Sequence, residues 1–173
     1  MPHIGANLAY AYALTGRVCD AIPWVENIDD QSKLSRRKAA WGLRLAWLGY
    51  ASLLGQRIDK AREQAERAIA LAVDSGERGY EAWAHKLLGD INQQQAANPE
   101  AFNQYNQSLA LTTELAMRPL EAHIHFSLGQ LHRREKQVEQ ARAEISLAMT
   151  SYRSMDMPFW EATAAREIRT LNH

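Results

Sequence analysis

Six histidines, His3, His85, His123, His125, His132 and His173, are the side chains best suited to bind a metal or move a proton near neutral pH. His123 and His125 are two apart, so on a helix they point to different faces and cannot share an ion. His125 and His132 are seven apart, close to one face but two turns distant. His85 and His125 are forty apart, in slots that place them about one helix–helix spacing away from each other, roughly 8–10 Å. That is too far for one zinc ion, and no Cys, Asp or Glu stands beside them at ligand spacing. The single cysteine, Cys19, allows no intrachain disulfide and has no nearby His, so it reads as a structural thiol. Asp29 and Asp30 sit near a helix end and read as solvated. No Gly-rich phosphate loop, nucleophile elbow, HExxH or CxxC occurs. The expectation is a chain with no catalytic residues, no metal and no cofactor.

The elements that carry these side chains follow a repeat. Glu121 to Ala148 reads EAHIHFSLGQLHRREKQVEQARAEISLA, with Leu128-Gly129 followed by Ala141, Ile145 and Ala148. Forty residues earlier the same slots hold Leu88-Gly89, Ala101, Tyr105 and Ser108. Another forty back they hold Leu48-Gly49, Ala61, Ala65 and Ala68, and a last step gives Leu8-Ala9, Ala21, Val25 and Ile28. A period in this range means stacked supersecondary units. Each copy reads as two helices, with the Leu-Gly pair on the first and the small–large–small pattern on the second.

Glycine inside a helix costs about 1 kcal/mol against alanine. Gly49, Gly89 and Gly129 therefore imply close approach by a neighbouring helix, with Ala61, Ala101 and Ala141 facing them from the partner helix. Filling such a slot with leucine overpacks it at roughly 1–3 kcal/mol.

The Leu-Gly pair, the alanine twelve residues after the glycine and the larger residue four beyond resemble the tetratricopeptide repeat (TPR) family over nearly the whole chain. Two features depart from that pattern. The period is forty, which implies longer helices, and the tyrosine three after the glycine slot survives only as Tyr12, with Ser52, Asn92 and His132 elsewhere. A period of forty also falls in the HEAT and armadillo range, but the small-residue pattern favours TPR. The segments MRPLEAHIHFSLGQLHRREKQ and YRSMDMPFW are similar to C-terminal TPR arrays of bacterial multidomain signalling proteins, those with nucleotide-cyclase or ATPase domains and transcriptional regulators. No cyclase or ATPase motif is present in this sequence.

Composition agrees with one domain. The chain has 173 residues, 46% hydrophobic and 23% charged, enough to bury a sizeable core. Twenty basic residues balance twenty acidic ones, which argues against a nucleic-acid surface or an electrostatic membrane anchor. No apolar run approaches the eighteen or so residues that span a bilayer. Cysteine usage makes a reducing cytoplasm the expected compartment.

The expected fold is all-α, a right-handed superhelix of four helical hairpins over residues 2–40, 41–80, 81–120 and 121–157, closed by a capping helix at 158–171. The basic cluster Lys33, Arg36, Arg37 and Lys38 reads as a solvated helix start at about Leu34. Asn98 is expected as an N-cap before Pro99. In the capping helix Phe159, Ala162, Ala165 and Ile168 are expected to face the last repeat, leaving Glu161, Arg166, Glu167 and Arg169 in water. Helix one, IGANLAYAYAL, is apolar almost all round, so an upstream repeat or a second copy of the chain is expected to cover it.

The TPR resemblance implies that first helices build the concave wall. The aligned slots are His3, Ala6, Tyr10, Ala13; Leu43, Ala46, Tyr50, Leu53; Trp83, Lys86, Asp90, Gln93; and His123, Phe126, Gln130, Arg133. Tyr10, Tyr50, Leu53, Trp83, Lys86, Asp90, Phe126, Gln130 and Arg133 are the candidate partner-binding residues, aromatics and arginine being the side chains that dominate interfaces. The Lys-and-Asn carboxylate clamp of some TPR domains is not reproduced, since Ala6, Tyr10, Ala46 and Tyr50 hold its slots. The expected function is protein or peptide binding within a larger regulator. Self-association through helix one and small-molecule sensing are the alternatives.

Overall fold

The computed structural model describes residues 2–17, 19–24, 26–27 and 41–171, with side chains from residue 5 onward. Its turns explain the period. A residue in the left-handed region recurs every twenty residues from Gln56 (φ 59°) through Gly76 (67°), Ala96 (58°), Ala116 (52°) and Lys136 (60°) to Asp156 (52°), with Gly16 (77°) forty residues before the first. In each turn a backbone N–H reaches back five residues, as from Arg57 to Ser52 O (2.9 Å), Glu77 to Ala72 O (2.8 Å) and Met117 to Thr112 O (2.8 Å). This six-to-one bond closes the helix end and throws the chain into the next helix at a fixed angle. Five of these seven positions are not glycine, so the turn geometry is imposed by the helices it joins.

The helices between the turns are α1 (Pro2–Leu14), α2 (helical at residues 19–24 and 26–27), α3 (Trp41–Leu54), α4 (Ile58–Asp74), α5 (Arg78–Gln94), α6 (Asn98–Glu114), α7 (Arg118–Arg134), α8 (Val138–Ser154) and α9 (Pro158–Thr170). Hairpins α3–α4, α5–α6 and α7–α8 pack most closely, α4 contacts α5, α6 contacts α7, and α9 rests on α8. First helices also meet one another, α1 with α3, α3 with α5 and α5 with α7, which makes one wall of the solenoid. The fold is an all-α superhelix of TPR-like hairpins. The expected helix start at Leu34 and the basic cluster around Lys38 lie outside the described residues, as do Asp29 and Asp30.

Packing rests on three columns. Ala61, Ala65, Ala68 and Ala72 on α4, then Ala101, Tyr105, Ser108 and Thr112 on α6, and Ala141, Ile145, Ala148 and Tyr152 on α8 are all fully buried. The first-helix glycines meet this face. A Cβ on Gly89 would lie 2.5 Å from the Tyr105 ring, and one on Gly129 would lie 2.4 Å from Ile145 Cγ1 and 3.1 Å from the Ala141 carbonyl. At Gly49 the facing slot holds the short Ala65, and the space is filled by Leu87 of α5, whose Cδ2 would lie 2.4 Å from an added Cβ. A small residue in one column is thus compensated by a large one from the next repeat.

Several local expectations need correction. Asn98 is the first residue of α6 rather than its cap; Ala97 precedes it without a side-chain cap bond. The Asn98 amide reaches Glu135 in the next turn instead, so it joins repeats rather than starting a helix. In α9 the face packed on the last repeat runs through Trp160, Ala164 and Ile168; Ile168 lies in the expected row, whereas Phe159 and Ala162 are exposed. Phe159 is 69% exposed and meets Trp160 edge-on at 5.3 Å. Glu161 and Glu167 pair with Arg153 (2.7 Å) and Arg133 (2.9 Å), because the rotation that buries Trp160 turns them toward α8 and α7. Arg62 of α4 donates to Asn92 and Gln95 at 2.7 Å, joining α4 to the end of α5.

Candidate functional site

The first helices enclose a concave cavity of about 490 Å³. Two full columns of the repeat line it: Tyr10, Tyr50, Asp90 and Gln130, and one turn further Leu14, Leu54, Gln94 and Arg134. Leu53, Gln93, Trp83, His123, Lys86, Phe126, Ser127, Gln56 and, from α9, Trp160 complete the lining. Eight of the nine candidate residues therefore border one space. Arg133 does not. Its Nη1 lies 2.9 Å from Glu167 and 3.2 Å from Thr170 Oγ1, tying α7 to α9, and Arg134 stands at the cavity in its place.

The column of Leu14, Leu54, Gln94 and Arg134 is the one that sequence reasoning passed over. These are the last residues of α1, α3, α5 and α7, and they share the forty-residue register of the others. That register was the available signal; Trp160 and Gln56 carried none.

Aromatic rings sit at both ends of the cavity. Tyr10 and Tyr50 are 5.5 Å apart, and Trp83 meets Tyr50 edge-on at 6.3 Å. At the other end His123 meets Trp160 edge-on at 4.6 Å, and Trp160 stacks on Tyr152 at 6.1 Å. The aligned slots run apolar in the first two repeats and polar with aromatic anchors in the last two; in the structure the polar groups of α5 lie between aromatic rings on either side.

That centre is built on Asp90. Lys86, one helical turn away, donates to it at 2.6 Å, Tyr105 OH lies 2.8 Å from it, and Ser127 Oγ donates at 3.3 Å from α7. Tyr105 OH also lies 2.6 Å from Gln93 Oε1, so its one proton serves one acceptor at a time. Lys86 Nζ is 5.3 Å from the Tyr50 ring centroid, close enough for cation–π attraction. Burial, and then the Asp90 charge, raise the phenols: Tyr10 to about 12, Tyr50 and Tyr105 well above their usual range. Tyr50 is 6% exposed, and its hydroxyl lies beside Asp90, whose charge and hydrogen bonding add to the effect of burial.

His123 is neutral. Burial, and then the Lys86 charge, push its pKa down to about 4, and its Nδ1 shares a hydrogen bond of 2.8 Å with Tyr152 OH. His85 and His125 point to second helices, bonding Gln104 (2.7 Å) and Glu144 (2.6 Å). Glu144 comes from another helix and so lay beyond the reach of spacing. Glu81, 3.7 Å from His85 Nε2, stands one turn before it on the same helix and corrects the expectation that no carboxylate lies beside these histidines. Among the described residues no group of three or more His, Cys, Asp or Glu side chains is placed to hold a metal, and no helix is long and apolar enough to cross a membrane.

No protein-family model and no curated protein sequence matches the chain. Solved structures do. BtubC (BKLC) from P. vanneervenii is similar at TM-score 0.66 and 15% identity, covering 95% of this chain and 77% of its own. A kinesin light chain with nearly identical TPR-like repeats from Podosopora anserina gives TM-score 0.68 and 15% identity, covering 99% and 96%. The apo form of RapI gives TM-score 0.71 and 12% identity, covering 99% of this chain and 65% of its own. The likeness is one of fold: this chain shares the TPR-like superhelix of these proteins.

Proposed function

We propose that the chain is a non-catalytic protein- or peptide-binding module, acting as the regulatory or scaffolding part of a larger signalling protein. The observation that carries this reading is the continuous concave cavity, about 490 Å³, into which the first helices turn two complete columns of the repeat. Solenoids bind along such walls because adjacent repeats offer evenly spaced contacts on rigid elements. Aromatic anchors at both ends with polar groups between them suit an extended segment that inserts apolar side chains and bonds through its backbone. The signalling context rests on the similarity of the C-terminal third to bacterial regulatory arrays.

A peptide-display selection against the intact chain tests this, with every enriched peptide measured again on Trp83→Ala/Phe126→Ala. Both side chains are only partly buried, so the double variant keeps its helical circular dichroism. Peptides that lose about tenfold or more in affinity on the variant support the concave wall, an interface anchor being worth upward of about 1.4 kcal/mol. Enriched peptides that bind wild type and variant equally would remove it.

A further inference from the structure

We propose that Asp90 is the positioning residue of the concave wall: its one carboxylate gathers side chains from three consecutive repeats and fixes the separation of the aromatic ends. The inference rests on the reading of this wall as a binding surface. Its test needs no guest, so each can fail without the other.

The repeat column sets Asp90 apart. It stands in the slot that Tyr10, Tyr50 and Gln130 hold in the other repeats, and among these positions it alone is charged. Lys86 of its own helix donates to it at 2.6 Å. Tyr105 OH of α6 lies 2.8 Å away, and Ser127 Oγ of α7 donates at 3.3 Å. The Tyr50 hydroxyl of α3 lies beside it as well. Four helices thus meet at one group. A carboxylate has about four acceptor sites, so these neighbours leave little of it for a guest. Asp90 acts on binding through the side chains it holds.

Its place in the wall gives those bonds their weight. Among α1, α3, α5 and α7, the last two touch least, so the concave side of their junction depends on side chains. There Ser127 reaches Asp90, and Arg134 reaches the Gln93 carbonyl. At the rim Gln94 donates to Gln56 at 2.9 Å, but both amides are exposed and exchange with water at little net gain. The Asp90 and Lys86 side chains are only 18% and 13% exposed, Ser127 is buried and Tyr105 fully so. Hydrogen bonds in such surroundings are electrostatically stronger than in water. Tyr10 and Tyr50 lie on one side of this node, and Phe126 and Trp160 on the other. Holding α3, α5 and α7 together on their concave side sets how far apart these rings stand, and a preset wall lowers the ordering cost of binding.

Spin labels on the convex face read this separation. Ala70 on α4 and Thr150 on α8 are exposed and occupy the same slot two repeats apart. With the exposed Cys19 changed by Cys19→Ser, Ala70→Cys and Thr150→Cys carry the labels on the full chain. Lys86→Met/Asp90→Ala removes the node without stranding an ammonium. The concave wall then opens, and the label distance on the convex face shortens by about 2 Å, the scale of helix shifts at a repacked interface. Ser127→Ala, a milder change that removes the α7 bond alone, shortens it in the same sense. Lys86→Gln/Asp90→Asn keeps an acceptor oxygen for Tyr105 and Ser127 and holds the wild-type distance. Arg78→Ala, which breaks the exposed inter-repeat pair with Glu114, holds it too. A merely stabilising role for Asp90 lowers the melting midpoint of its variants and leaves the folded-state distance where it was. An unchanged distance in Lys86→Met/Asp90→Ala and Ser127→Ala overturns the proposal. An equal shift in Lys86→Gln/Asp90→Asn or in Arg78→Ala overturns it as well.

Discussion

The ring of Tyr105 fills the space that a Cβ on Gly89 would take, with ring carbons 2.5 and 2.6 Å from that position. The same ring carries the hydroxyl beside Asp90, so one contact both nests α5 against α6 and holds the polar centre of the cavity. The glycine is thus a condition of the site as well as of the packing.

Substitutions at the glycines separate packing from helix propensity. Gly129→Ala and Gly89→Ala are expected to destabilise by about 1–3 kcal/mol, because Ile145 with the Ala141 carbonyl, and the Tyr105 ring, have nowhere to move. Gly49→Ala costs less, since it meets only the end of the Leu87 side chain. Gly79→Ala meets Met117 Sδ at an ordinary 3.4 Å and gains up to about 1 kcal/mol from propensity. Urea titration of the four variants gives this order, and equal effects at Gly79 and Gly129 would sink the close-packing account.

The turns leave stability unclaimed. Ala96 and Ala116 hold φ of 58° and 52°, where a Cβ is strained. Ala116→Gly is expected to stabilise by roughly 1 kcal/mol and raise the melting midpoint by about 2–4 °C. Gly76→Ala, at φ 67°, moves the other way by a similar amount. Thermal unfolding checks the pair.

His123 makes stability depend on pH. Lys86 on α5, Tyr152 on α8 and Trp160 on α9 face it, and its folded pKa is about 4 against 6.5 for a free side chain. The unfolded chain therefore binds a proton that the folded chain refuses. This contribution is fully present above pH 6.5 and is lost as the pH falls toward 4, up to about 3 kcal/mol. His123→Gln is expected to flatten the difference in unfolding free energy between pH 7 and pH 4.5; an unchanged slope would assign the acid sensitivity elsewhere.

The terminal helix has one anchoring face. Trp160→Ala is expected to cost roughly 2–3 kcal/mol, since it empties the space beside His123 and Tyr152. Phe159→Ser, at a side chain 69% exposed, stays within about 0.5 kcal/mol. Hydrogen exchange in α8 and α9 distinguishes these outcomes residue by residue.

Leu48-Gly49, Leu88-Gly89 and Leu128-Gly129 with their alanine partners were enough to specify hairpins in a superhelix, because an in-register small residue has a local meaning: two backbones meet there. The same register placed Tyr10, Tyr50, Asp90 and Gln130 in one column. What it left undecided was rotation and partnership. Whether Arg133 or Arg134 turns inward, whether Phe159 or Trp160 is buried, and whether His125 meets Glu144 all depend on how neighbouring helices share space. A one-residue change in helix phase swings a side chain by about 100°, and only packing against the next helix selects among such phases. The surroundings of Tyr50 belong to that second class: Tyr10 of α1 and Lys86 of α5 meet its ring across helices, visible in no single stretch of chain.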